Sequence, residues 1–76
     1  MKVKLEDLLL LVAKYDKFSL AKIKKAYLYA ADKHQGQFRE SGDAYITHPL
    51  AVAIILAELN ADVDTICAGL LHDVLE

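Results

Sequence analysis

The stretch from Thr65 to Glu76 constrains the fold more than any other part of the chain. It is apolar at most positions, yet His72, Asp73 and Glu76 lie close together near its end. A helix that is apolar nearly all round belongs in the centre of a bundle. Ionisable side chains in such a helix are costly unless they are paired or bind a metal ion. The stretch therefore predicts a central helix that carries part of a metal site.

The rest of the chain predicts three more helices, and hence an all-α bundle of four. Apolar residues recur at helical spacing, and only 3 Gly and 1 Pro interrupt them. The predicted helices cover residues 4–15, 19–33, 47–59 and 65–76. Ser19 and Thr47 are suited to cap the second and third helices, and Asp62 or Asp64 the fourth. Pro49 is tolerated in a first helical turn because its missing N–H is not needed there.

Length and composition limit the functions open to the chain. Its 76 residues make one domain or a piece of one, and 55% of them are hydrophobic. So short a monomer does not easily hide that much apolar surface, and we expect self-association through exposed helix faces. A net charge of −2 argues against nucleic-acid binding. The sequence predicts neither a membrane span nor a targeting segment, and we expect a soluble, cytoplasmic protein.

Three further features allow both a structural and a functional interpretation. The lone Cys67 lies in an apolar run, which favours core packing over a redox or nucleophilic role. The lysines of the second helix form a solvated face, with anion steering as the alternative. Arg39 lies between two glycines in the polar loop 35–43. This loop is either a plain connector or a clamp for a phosphate or carboxylate, which the planar fork of Arg binds well.

The spacing of two histidines predicts that they face each other. If the third and fourth helices form an antiparallel hairpin, His48 precedes the centre of the turn by about 13 residues and His72 follows it by about 11. At a rise of ~1.5 Å per residue, the two rings reach nearly the same level. Together with the carboxylate of Asp73 they make a plausible shell for a divalent metal ion. Glu76 lies one turn further along, where it could handle a proton of a water molecule.

Each of these residues also has a plainer interpretation. His48 could be a surface or capping residue at a helix start, and His72 a core histidine bonded to a carbonyl group. Asp73 could pair with a lysine. It is their combination in an apolar helix, at matched levels, that favours the metal site. His34 falls outside this geometry, and we expect it to serve in packing or loop hydrogen bonding.

Four segments of the sequence resemble a known family. They are Lys33 to Arg39, Ser41-Gly42, Tyr45 to Pro49 and Ala68 to Glu76. In combination and at these spacings they resemble the N-terminal hydrolase region of the RelA/SpoT homologues, bifunctional enzymes that make and degrade the alarmone (p)ppGpp. The His-Asp pair alone would indicate only the wider HD phosphohydrolase superfamily.

The resemblance implies a role for each candidate residue. By analogy with the family, His48, His72 and Asp73 would bind Mn²⁺, and an Asp far downstream would complete the shell. Glu76 would help to activate the attacking water. Arg39 would lie near the guanosine nucleotide, with Ser41 close by. The implied reaction removes pyrophosphate from the 3′ position of guanosine tetra- or pentaphosphate, giving GDP or GTP.

The resemblance also has limits. The 76 residues end inside the His-Asp-x-x-Glu motif, so we interpret residues 1–76 as a partial HD domain that is inactive by itself. The parent protein would be the hydrolase, with or without an additional GTP pyrophosphokinase activity. Position 40 is Glu, where the family commonly has a basic residue. Two alternatives stay open: another HD-type phosphohydrolase, and a non-catalytic helical module that binds partners.

Overall fold

The computed structural model describes residues 3–38, 42, 44–72 and 74, and within them the chain is a bundle of four α-helices. The helices are α1 (Leu5–Ala13), α2 (Leu20–Lys33), α3 (Thr47–Glu58) and α4 (Val63–Leu71). A 3-10 turn, Lys17–Ser19, joins α1 to α2. The predicted all-α class and the number of helices are confirmed. None of the helices in the described part is long and apolar enough to cross a membrane.

The core forms where α4 packs between α2 and α3, and α1 covers the remaining side of α2 and α3. The buried apolar side chains come from all four helices: Leu8, Val12, Ile23, Ala26, Leu50, Ala53, Ala57, Val63, Ile66, Cys67 and Leu70. The buried position of Cys67 confirms the packing prediction for it. Burial also raises the pKa of the Cys67 thiol, which therefore keeps its proton more firmly than an exposed thiol does.

Helix starts follow the predicted caps only in part. Asp62 caps α4 as predicted, because its carboxylate accepts a hydrogen bond from the Thr65 N–H at 3.3 Å. Ser19 occupies the N-cap position of α2, but its hydroxyl makes no capping bond to any described residue. The prediction for Thr47 was wrong. Ile46 is the N-cap residue of α3, because the Thr47 hydroxyl donates backwards to the Ala44 carbonyl at 2.6 Å.

The ends of α1 and α4 also differ from the prediction. α1 ends at Ala13, and Tyr15 instead donates its hydroxyl to the Ala61 carbonyl at 2.6 Å. α4 was expected over residues 65–76, but it begins at Val63 and ends at Leu71. His72 keeps helical dihedral angles as the C-cap, and the Val74 N–H then bonds the Leu71 carbonyl in a tighter turn. Glu76, the predicted last residue of the helix, lies outside the described residues.

The exposed apolar surface lies mainly outside the central helix. The exposed side chains of α4 are Asp64, Thr65 and Ala68, none of which is large and apolar. The large apolar side chains that are exposed lie on the other helices and their connections: Leu10, Tyr15, Phe18, Leu28, Tyr29, Phe38, Ile55 and Leu59. α3 and α4 each pack against two other helices, α3 against α1 and α4, and α4 against α2 and α3.

Replacing Asp62 with Ala is expected to lower the melting temperature at pH 7 by several degrees, because the first turn of α4 loses its cap. Hydrogen bonds from Thr65 hold the pKa of Asp62 below its ordinary value of 3.8. A carboxyl whose pKa is lower in the folded state stabilises the fold above its unfolded pKa, and this contribution is lost as the pH falls through the folded value. The difference in melting temperature between Asp62→Ala and the wild-type protein should therefore become smaller at acid pH.

Asp64→Ala is the matched control for this prediction. It removes a carboxylate from the same helical turn, but Asp64 only pairs with the exposed ammonium of Lys22 at 2.6 Å. Exposed ion pairs contribute little to stability. Circular-dichroism melts of both variants between pH 3 and 7 measure the difference. Equal melting temperatures for the two variants at pH 7 would contradict the capping role.

Candidate metal centre

The turn between α3 and α4 sets the geometry of the site. Asn60 adopts the left-handed conformation, with φ of 59°. The Asn60 N–H bonds the Ala57 carbonyl, and the Ala61 N–H bonds the Leu56 carbonyl, both at 3.0 Å. This is the Schellman pattern of helix termination, in which Asn is tolerated at the left-handed position. With the Asp62 cap directly after it, the chain reverses in four residues and α4 returns along α3.

The hairpin brings together the two histidines that were predicted to face each other. The ring centroids of His48 and His72 lie 6.4 Å apart, with an angle of 63° between the ring planes. His48 is half-buried in the first turn of α3, and His72 is exposed at the end of α4. A separation of this size leaves room for one ion between the rings. Imidazole nitrogens suit Zn²⁺, Fe²⁺ and related divalent metals.

A backbone carbonyl fixes the tautomer of His72. Its Nδ1 lies 2.6 Å from the carbonyl oxygen of Gly69, one turn earlier on α4. Because a carbonyl oxygen only accepts, Nδ1 must carry the hydrogen, which leaves the lone pair on Nε2. Metal-binding histidines commonly donate their second ring nitrogen to a carbonyl group in this way. The donor set of His72 therefore fits a metal ion bound through Nε2.

Gly69 also allows α4 to approach α3 closely. A Cβ atom at this position would lie 3.1 Å from the Leu56 Cδ1 and 3.9 Å from the Val52 Cγ1. The first distance is shorter than an ordinary van der Waals contact, so a side chain here would require the Leu56 side chain to shift by a few tenths of an ångström. The same residue thus orients the His72 ring and permits the helix contact that brings it to His48.

Two more rings extend the pair into a row that sequence reasoning did not anticipate. The ring centroids of His34 and Tyr45 lie 4.6 Å apart, and those of Tyr45 and His48 lie 6.5 Å apart. His34 is buried and bonds Gln37, which confirms its predicted place in packing and loop bonding. The link through Tyr45 was missed. Its position three residues before His48 was the available signal, because one turn of helix would bring the two rings together.

The structure describes only part of the predicted constellation. His48 and His72 are described, whereas Asp73, Glu76, Arg39 and Ser41 lie outside the described residues. Within residues 3–38, 42, 44–72 and 74, no group of three His, Cys, Asp or Glu side chains is placed to hold a metal ion. The metal role of the two histidines, and the substrate role of the loop, thus stay predictions.

Comparison with known proteins shows similarity to one family and to several of its members. Residues 26–76 match the family described as HD domain. The bifunctional (p)ppGpp synthase/hydrolase SpoT of Escherichia coli K12 is 56% identical over 57 residues, which are 75% of this chain and 8% of SpoT. The bifunctional (p)ppGpp synthase/hydrolase RelA of Mycobacterium tuberculosis is 55% identical over 62 residues, 82% of this chain and 8% of RelA. The GTP pyrophosphokinase of Streptomyces coelicolor is 56% identical over 63 residues, 83% of this chain and 7% of that enzyme.

Proposed function

The chain belongs to the HD domain family, in its RelA/SpoT branch, and we propose that it supplies the metal-binding histidines of a (p)ppGpp 3′-pyrophosphohydrolase. The observation that carries the proposal is the pair of rings, His48 and His72, whose centroids lie 6.4 Å apart across the hairpin. The orientation of His72 by the Gly69 carbonyl supports it. The chain spans about 8% of the length of its first relatives, so the activity proposed is that of the protein that contains it.

The proposed ion is Mn²⁺, held by His48 and His72 with the Asp73 carboxylate as a further ligand. When bound, a divalent metal would polarise a phosphoryl oxygen and make hydroxide available near neutral pH. In this proposal Glu76 accepts a proton from the attacking water. Water supplies the oxygen gained by the pyrophosphate and the hydrogen gained by the ribose 3′ oxygen, and GDP or GTP is released.

The substrate in this proposal is guanosine tetra- or pentaphosphate, bound by the loop between α2 and α3. Arg39 offers a bidentate fork to a phosphate or stacks on the base, and Ser41 adds a hydroxyl donor. Both residues lie outside the described part, so their support comes from the sequence motif. We also propose a cytoplasmic location and self-association through the exposed apolar side chains. Sedimentation velocity at several concentrations tests the self-association.

Hydrolysis of ppGpp tests the function directly. The protein that carries this chain is incubated with ppGpp and Mn²⁺, and pyrophosphate and GDP are quantified, with EDTA as the metal-free control. We expect pyrophosphate release that depends on Mn²⁺. If the protein instead hydrolyses other phosphate esters and spares ppGpp, it is another HD-type phosphohydrolase. If neither hydrolysis nor metal binding occurs, a non-catalytic helical module is the better description.

A further inference from the structure

The connection from α2 to α3 is tied together by a series of backbone hydrogen bonds. The Gln37 N–H bonds the His34 carbonyl at 3.0 Å, and the Tyr45 N–H bonds the Gln37 carbonyl at 2.9 Å. The His48 N–H then bonds the Tyr45 carbonyl at 3.1 Å. Phe38 and Ala44 form an isolated antiparallel bridge next to these bonds. These hydrogen bonds connect the end of α2 to His48, the first histidine of the candidate metal centre.

The side chain of His34 is fixed in one orientation at the start of this series. Its Nδ1 lies 3.2 Å from the Gln37 Oε1, and the amide nitrogen of Gln37 donates to the Lys33 carbonyl at 3.3 Å. That second bond turns the Gln37 oxygen towards His34, so Nδ1 is the nitrogen that carries the hydrogen. The ring is only 8% exposed.

Packing alone does not explain why residue 34 is a histidine, because the second ring nitrogen, Nε2, makes no bond to any described residue. Nε2 is buried and has no hydrogen-bond partner among the described residues. An unpaired buried polar atom costs stability, and an apolar ring of similar shape would avoid that cost. We therefore explain the presence of a histidine here by its Nδ1, which bonds Gln37 and so fixes the plane of the ring.

The face of the His34 ring supports Tyr45. The two ring centroids lie 4.6 Å apart, and the planes are tilted by 33°. Tyr45 in turn meets His48 edge-on, with 6.5 Å between centroids and 69° between planes. The half-buried His48 ring thus has Tyr45 as a neighbour, and Tyr45 in turn has the His34 ring against it. Groups that orient a metal ligand commonly contribute strongly to the affinity of the site.

We propose that His34 is a positioning residue of the metal centre, which acts through the ring of Tyr45 to hold the imidazole of His48 towards His72. The inference rests on the proposed function, since it assumes that His48 binds the metal ion. It adds the C-cap residue of α2 to a centre otherwise formed by α3 and the end of α4. His34 itself contacts neither metal nor substrate in this proposal.

A double-mutant cycle on Mn²⁺ affinity tests the proposal. His34→Ala, Tyr45→Leu and the double variant are compared with the wild-type protein by titration calorimetry, at a temperature where all are folded. We expect each single variant to bind Mn²⁺ about tenfold more weakly. Because the two residues act in series, the double variant should bind no more weakly than the weaker single variant. In the metal-free protein, the His48 ring resonances should shift in both single variants.

Ile23→Ala is the matched control for loss of stability. Ile23 is fully buried on α2, so its truncation destabilises the same helix without touching the row of rings. We expect Mn²⁺ affinity close to that of the wild type. An equal loss of affinity in Ile23→Ala would show that general destabilisation is the cause, and would overturn the proposal.

The other outcomes separate this inference from the function on which it rests. Wild-type affinity in His34→Ala overturns the positioning role and leaves the proposed function intact. Additive losses in the double variant overturn the route through Tyr45. A wild-type protein that binds no Mn²⁺ overturns the proposed function, and the inference with it.

Discussion

Replacing Leu50 with Ala is expected to lower the free energy of unfolding by about 2–5 kcal/mol. Leu50 is 1% exposed, in the first half of α3, where it packs into the shared core of the four helices. At roughly 0.05–0.15 kcal/mol per residue, 76 folded residues correspond to a stability of about 4–11 kcal/mol. The loss is therefore a large share of the whole, and we expect a substantial unfolded population at 37 °C.

Leu59→Ala is the matched control, since it makes the same change at the C-cap residue that follows α3. Leu59 is 74% exposed, and truncations of exposed side chains usually change stability by less than ~0.5 kcal/mol. Urea titrations of both variants, followed by circular dichroism, give the two changes. Equal losses would mean that the register of α3 against the core differs from the one described. That register also places His48, which lies two residues before Leu50.

Replacing His72 with Ala is expected to abolish the response of the protein to Mn²⁺. At a free metal concentration of about 100 times the dissociation constant, binding stabilises a folded protein by about 2.7 kcal/mol. For a domain of this size this raises the melting temperature by roughly 10–20 °C. The His72→Ala variant should show no such rise in melting temperature. Removal of a group that only orients a metal ligand typically lowers metal affinity or activity by roughly 10–100-fold. The loss of ppGpp hydrolysis in His72→Ala should be larger than this, because His72 is proposed as a ligand itself.

Melting temperatures measured with and without Mn²⁺ test this prediction. Two further variants serve as a second candidate ligand and as a control. His48→Ala should lose the response as well, because both rings face the same space. Lys24→Ala, at an exposed position on α2, should keep it. Because His72 is exposed, its replacement should barely change the melting temperature without metal. A full Mn²⁺ shift in His72→Ala would exclude this residue as a ligand.

The fold was predictable from the sequence because it depends on regular features. Helical spacing of apolar residues gave the four helices, and the short polar segment at Asn60 gave the hairpin. The meeting of His48 and His72 followed from helix rise and turn length alone, both of which are general properties of helices. The resemblance to RelA/SpoT homologues rested on motif spacing, and the relatives confirm it.

What could not be predicted depends on local choices between alternatives of similar energy. The Thr47 hydroxyl can cap forwards or donate backwards, and the turn at Ala44 decides for the second. The contact of Tyr45 with His34 requires the loop to close through Gln37, which no periodic pattern encodes. The exposure of Ile55 on α3 and of Leu59 just after it depends on which face of α3 meets α1 and α4 in the finished bundle.

The Schellman turn at Asn60 has a consequence for how the protein can vary in length. One residue inserted between Leu59 and Asp62 would break the two 3.0 Å hydrogen bonds by which the Asn60 and Ala61 N–H groups end α3. These bonds fix the direction in which α4 returns along α3. The packing of Leu70 in the core and the approach of the His72 ring to His48 both depend on that direction. An insertion at this turn would therefore disturb the core and the candidate site together.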